Sequence, residues 1–171
     1  LTYALVLPVV HGVSLRGVYR VINRGLARAL QALGVSVTTA GEEVPTASPD
    51  AGPCFGRPAP GELTVHGRKL VGSAQARVGG AILQHGSLLI GMGQERLTDL
   101  HGNGSESRAA IGLEEILGYE PLWGHLVEGV IEGMREVLGG EWHRGGPTDA
   151  ERSSSEALRE HYASPEWTWR R

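Results

Sequence analysis

Between Glu62 and Ile90 apolar and polar residues alternate, and the alternation is cut twice, at His66-Gly67 and at Gly79-Gly80. A period of two belongs to extended strands, whose side chains alternate between faces. Glycine-bearing pairs between such runs are the signature of tight hairpins, which need positive φ. Leu63 and Val65 form one strand and Lys69 to Gln75 returns as its partner. Val78-Gly79-Gly80-Ala81 turns again into Ala81–Ile90, with Gly86 a candidate bulge. An antiparallel meander of this kind excludes the regular strand–helix–strand alternation of a dinucleotide fold.

The flanking chain supplies the other elements. Leu1–Leu7, closed by Pro8, reads as a buried strand. Ser14 is placed to cap a helix carrying Val18, Ile22, Leu26, Ala29, Leu30 and Leu33, with Gly34 as its stop. Val35–Thr38 reads as a short strand. Residues 40–60, rich in Pro, Gly, Ala and Ser, read as a long loop, and loops of that length are usually functional or disordered. Beyond the meander a short helix is expected over Gln94–Leu100, a polar loop over Gly102–Ser107 and a helical turn over Leu113–Leu117. Pro121 is expected to open a helix at its first position, with an apolar stripe from Leu122 to Leu138 and a stop at Gly139-Gly140. A linker over 139–148 precedes a polar helix from Thr148 to about Tyr162. The plan is α+β in one domain over 1–171, with a helical C-terminal segment from about 121.

A net charge of −3 argues against binding nucleic acid through bulk charge. One cysteine excludes an internal disulfide framework and fits a reducing, cytoplasmic setting. No run reaches the roughly 18 apolar residues of a membrane span, and Leu1–Leu7 lacks the basic leader of a secretory signal. The seven histidines show no metal-ligand spacing, so no metal site is expected. Neither a P-loop nor a Gly-x-Ser-x-Gly elbow is present. Because the chain starts without Met inside an apparent strand, the native N-terminus is expected to be missing.

Lys69 is the only lysine, while fifteen arginines supply the remaining positive charge. Lysine is a compact point charge with rotatable donors, where arginine is a fixed planar fork, so a lone lysine suggests a task arginine cannot perform. The bland alternative is a solvated charge on a hairpin. Cys54, the only cysteine, lies fifteen residues earlier in Gly52-Pro53-Cys54-Phe55-Gly56. It reads either as a small hydrophobe or as a loop-borne nucleophile whose thiolate a nearby ammonium would favour. Arg68 and Lys69 are adjacent on a strand and should serve different roles. The small residues Gly72-Ser73-Ala74 mark either a ligand's close approach or a bulge.

Gly67-Arg68-Lys69-Leu70-Val71-Gly72-Ser73-Ala74-Gln75-Ala76-Arg77, followed by Ile82-Leu83-Gln84-His85-Gly86-Ser87, resembles the biotin/lipoate protein ligase superfamily. The closest resemblance is to the lipoate–protein ligase A-like branch that includes octanoyltransferases. The Leu1-Thr2-Tyr3 strand, the Tyr19–Gly34 helix, the Pro53-Cys54-Phe55 loop and the Tyr162–Thr168 end are also similar, so the resemblance spans nearly the whole chain.

The resemblance implies a catalytic-domain fold akin to class II aminoacyl-tRNA synthetases, with a mixed sheet flanked by helices. It implies Cys54 and Lys69 as catalytic residues, the cysteine carrying the acyl group as a thioester and the lysine lowering its pKa. It further implies Gly72, Ser73, Ala74, Gln75 and His85 around the substrate. The expected donor is acyl carrier protein; the expected acceptor is a lipoyl domain or the glycine-cleavage H protein, and no cofactor is needed. A lipoate–protein ligase using ATP and magnesium is the alternative. Family members carry an Arg-Arg-x-Thr-Gly-Gly-like segment before the strand that begins this chain, and it is absent from these residues. Its absence favours a third reading, a non-catalytic partner subunit or carrier-protein-binding module.

Overall fold

The computed structural model describes residues 1–41, 55, 57–91 and 109–169. Cys54, the Gln94–Leu100 helix and the Gly102–Ser107 loop expected from sequence lie outside them. Contacts divide the chain into two compact units, Leu1–Gly140 and Glu141–Arg171.

The first unit is built on a five-stranded sheet in the order β1-β5-β4-β3-β2. The strands are β1 (Thr2–Pro8), β2 (Thr38–Thr39), β3 (Leu63–Val65), β4 (Arg68–Val78) and β5 (Ala81–Leu88). Among the described residues every strand pair is antiparallel, and the sheet's mixed character is confined to one parallel bridge, Lys69 to Ala110. The two hairpins turn where the glycines place them. His66 and Gly67 hold φ of 51° and 74°, and Gly79 holds 56°.

One expectation about bulges is corrected. Gly86 is no bulge, because its pairing with Tyr3 on one side and Ser73 on the other runs in unbroken register. It is glycine for closeness: a Cβ there would come within 2.5 Å of Gly72 O and 2.7 Å of Tyr3 Cε1. The irregularity lies in β4 instead. Thr64 pairs with Lys69 but Leu63 pairs with Val71, so β4 carries one extra residue at that step. As a result Lys69 and Gly72, three apart in sequence, share one side of the strand. A Cβ on Gly72 would lie 2.8 Å from Lys69 Cε.

Helix α1 (Leu15–Ala32) starts at Ser14, whose Oγ accepts from the Gly17 N–H, and Gly34 follows its end with φ of 81°. Val35 leads in without strand pairing, so the short strand is only Thr38–Thr39. A short helix, α2 (Leu113–Leu117), ends at left-handed Gly118. Helix α3 (Trp123–Leu138) is capped by Leu122, so Pro121 stands outside it rather than at its first position.

The apolar stripes of α1 and α3 face each other and bury Ile22, Leu26, Ala29, Leu30, Leu126, Val130 and Met134. Each such leucine-sized side chain contributes roughly 1.5–3 kcal/mol. The helices nearly touch at two glycines. A Cβ on Gly133 would fall 2.2 Å from Gly25 O, an impossible distance.

The second unit holds α4 (Asp149–Ala163) and α5 (Pro165–Thr168). Thr148 and Glu151 form a reciprocal capping box on α4. Tyr162 and Trp167 meet edge-to-face at 4.6 Å between ring centroids. Among the described residues, no helix is long and apolar enough to cross a membrane.

Candidate active site

Lys69 is 4% exposed, which rules out the solvated-charge reading. Its Nζ lies 2.8 Å from Glu62 Oε2, and Glu62 is itself 3% exposed. A charge pair taken out of water is favourable only when its remaining hydrogen-bonding capacity is met. Glu62 meets this condition: Oε2 accepts from the Ala59 N–H at 2.7 Å and Oε1 from the Ser73 N–H at 3.3 Å. The Phe55 ring covers the ammonium, 4.9 Å from Nζ to centroid, in cation–π range. Arg68, one residue earlier, points elsewhere, donating to Ala110 O and pairing with Glu115. The two adjacent cations thus have separate roles, as strand alternation requires.

The remaining expected site residues divide between the two faces of the sheet. Ser73 and Gln75 lie on the face that also carries Tyr3 and Gln84. Gln75 Nε2 donates to Gln84 Oε1 at 3.1 Å, and Gln84 Nε2 donates to Tyr3 Oη at 3.2 Å. Tyr3 Oη and Ser73 Oγ share a further hydrogen bond at 2.6 Å. Burial pushes the Tyr3 phenol pKa up, so it remains a donor at neutral pH. Gly72 instead lies against Lys69 and Phe55. Ala74 and His85 pair with each other, and both are exposed on the face opposite Ser73.

The strand edge next to Ser73 is also organised. β3 stops at Leu63, opposite Val71, so among the described residues β4 from Gly72 onward has a strand neighbour only in β5. The Leu89 N–H donates to Leu70 O, which sets the alternation of the ladder. On that alternation Ser73 and Gln75 turn their peptide groups away from β5. The Ser73 N–H is taken by Glu62, and its carbonyl accepts from Tyr19 Oη at 3.5 Å. Of the backbone donors between Gly72 and Gln75, the Ser73 N–H is therefore already committed to Glu62. Burial, with the Glu62 charge adding to it, pushes the Tyr19 phenol up to about 12, against the relief given by Asn23 and Ser73.

A lipoyl protein ligase A/B catalytic domain model matches residues 1–118. The chain belongs to that family. It is 34% identical over 167 residues to octanoyltransferase LipM of Kyrpidia tusciae, covering 90% of this chain and 61% of that protein. It is 33% identical over 189 residues to octanoyltransferase LipM of Moorella thermoacetica, covering 99% of this chain and 67% of that protein. The chain thus spans somewhat under two thirds of the first of these relatives. In three dimensions it is similar to lipoate-protein ligase A bound with ATP, at a TM-score of 0.77 and 18% identity. That match covers 97% of this chain and 63% of the ligase. The family's α+β fold is the one expected from sequence.

Several residues of the site were not singled out from sequence. Gln84 and Asn23 were detectable, because each is a polar residue at an inward position of an otherwise apolar face: Ile82-x-Gln84 on β5, and Ile22, Asn23, Leu26 on α1. Glu62 had no such signal, since it precedes β3 and its partner was fixed only by the β4 irregularity.

Proposed function

We propose that the protein containing this chain transfers an octanoyl group by a two-step covalent route. The observation that carries the proposal is the buried, carboxylate-held ammonium of Lys69 beneath Phe55, the residue that follows Cys54 in the chain. The Cys54 thiolate attacks the thioester carbonyl of octanoyl-acyl carrier protein. The carrier thiolate leaves and takes a proton, and an octanoyl-Cys54 thioester remains. The ε-amine of a lipoyl-domain or glycine-cleavage H-protein lysine then attacks. It loses a proton as the amide forms, and Cys54 is released as thiol.

Lys69 supplies fixed positive charge that favours thiolate over thiol and stabilises the oxyanion of each tetrahedral intermediate. Glu62 and Phe55 hold that charge in place, so no solvent has to reorganise during reaction. The first step exchanges one thioester for another, so no ATP is required. A cytoplasmic location accords with this thiol chemistry.

The likeness to an ATP-bound ligase favours a second reading, ATP- and magnesium-dependent lipoate ligation with Cys54 incidental. Intact-mass measurement of the full-length protein mixed with octanoyl-acyl carrier protein, without ATP, separates the two. A single hydroxylamine-labile octanoyl adduct, lost in Cys54→Ala, is the expected result. No adduct, together with lipoate transfer that needs ATP and survives Cys54→Ala, would overturn it.

A further inference from the structure

Gly72 shows on which side of the sheet the ammonium stands. A Cβ on this residue would lie 3.2 Å from Lys69 Nζ and 3.1 Å from Phe55 Cζ, so both groups sit over the face to which position 72 turns. The register carries that face onward. Gly72 pairs with Ser87 and Ala74 with His85, without a shift between them, so His85 is the diagonal neighbour of Gly72 on the same face. Diagonal neighbours of this kind are about 7–8 Å apart, within reach of aromatic and long side chains.

The surroundings of His85 are uncharged. On this face β1 sets Thr2, Ala4 and Val6 beside it, and β4 sets Gly72, Ala74 and Ala76. None of these titrates. His85 is exposed, as are Ala4 and Ala74, the two small residues paired with it. Among the described residues of this face from Gly72 onward, His85 is therefore the one side chain that exchanges a proton near neutrality.

The two-step route above leaves one proton without a carrier. A lysine amine, with an ordinary pKa of about 10.4, attacks a thioester only when neutral, and its nitrogen gives up a further proton as it becomes an amide. Lys69 is not placed to take that proton. Its Nζ is the positive half of a buried pair with Glu62 at 2.8 Å, and an ammonium has no acceptor lone pair. Imidazole is the side-chain base whose ordinary titration lies nearest neutrality. The spacing fits as well. An oxyanion held by Nζ and a nitrogen held by the imidazole are bound to one tetrahedral carbon. Two hydrogen bonds of about 3 Å with that carbon between them span roughly the diagonal distance.

We propose that His85 is the general base of the amide-forming step. It accepts the proton that the acceptor lysine's nitrogen gives up as the carbon–nitrogen bond forms. The carbon–sulfur bond breaks with its electron pair on sulfur, and the imidazolium hands the proton to that sulfur. The thiol is thereby regenerated and no co-reactant is consumed. The proposal rests on the octanoyl-transfer reading above and adds which group moves the proton in its second step.

The test separates the two steps in the full-length protein. Octanoyl-acyl carrier protein is added first, and formation of the octanoyl-enzyme is timed by intact mass. A lipoyl domain is then added, and amide formation is timed in a single turnover. In His85→Ala the amide-forming rate should fall by about a hundredfold or more relative to the acylation rate of the same variant. Added imidazole should restore part of that ratio. The ratio is read within one protein, so a partly unfolded sample does not imitate the result, and a side chain that only shaped the acceptor's site would leave a loss that imidazole does not relieve.

A ratio that does not fall, or a fall that imidazole does not relieve, overturns the proposal. If the unaltered protein forms no octanoyl-enzyme, the octanoyl reading fails. The same variant and rescue are then read on lipoate transfer with ATP and magnesium, where the acceptor amine gives up the same proton, and the assignment of His85 stands or falls there.

Discussion

Glu62 Oε2 lies 2.8 Å from Lys69 Nζ with both side chains withdrawn from water, so either group alone would be a buried, uncompensated charge. Lys69→Ala is expected to destabilise the fold by about 3–5 kcal/mol, as well as to abolish transfer. The double variant Lys69→Met/Glu62→Gln should recover most of that stability and none of the activity. Urea denaturation beside a transfer assay checks both. If the double variant regained transfer, the ion pair would be structural only.

Gly72 is the floor on which the ammonium rests. In Gly72→Ala the new Cβ meets Lys69 Cε at 2.8 Å and Phe55 Cζ at 3.1 Å, both side-chain atoms that can shift. The fold should survive with a small loss in melting temperature. The rate should fall by up to about a hundredfold, since misplacing a reacting group by an ångström costs that much. An unchanged kcat would show that the position of Lys69 Nζ does not limit transfer.

Tyr19 predicts a response to alkali. Its folded pKa is raised to about 12 from an ordinary value of 10.0, and that of Tyr3 is raised as well. The unfolded chain therefore loses these protons first as pH rises. The stability they contribute is fully present below pH 10 and is lost progressively above it, through the Tyr19 value of about 12. Melting temperatures measured from pH 8 upward should fall beyond 10, and less steeply in Tyr19→Phe. Parallel slopes for the two proteins would refute the assignment.

Gly133→Ala should be far more damaging than its single methyl suggests. The methyl would enter the Gly25 carbonyl at 2.2 Å, forcing α1 and α3 apart. A loss of at least about 1–3 kcal/mol is expected, read as a lowered urea midpoint. Gly129→Ala, on the same helix with its nearest such neighbour at 4.0 Å, serves as the control and should be nearly silent.

Which features were legible in the sequence follows from what produces each of them. The hairpins at His66-Gly67 and Gly79-Gly80 were readable because turn chemistry is local and glycine announces it. So was the α1 cap at Ser14, where side chain and backbone are three residues apart. Lys69 stood out through composition alone. What stayed hidden depends on partners distant in the chain. The extra β4 residue is visible only against β3. Glu62 becomes part of the site only once that irregularity brings Lys69 to it. Gly86 resembled a bulge because crowding by Tyr3 and Gly72 and local strand distortion call for the same residue. His85, grouped with the substrate contacts by resemblance, shares its face of the sheet with Ala74 and Gly72 rather than with Ser73.

The extra residue in β4 also decides what a change of length would do to this strand. Deleting Leu70 would bring β4 into even step with β3, and the lysine and Gly72, then two apart, would still share a side. Adding a residue between them while the single irregularity stays would instead set the ammonium and its glycine floor on opposite sides of the sheet. In this stretch the length of a gap in an alignment matters more than a substitution.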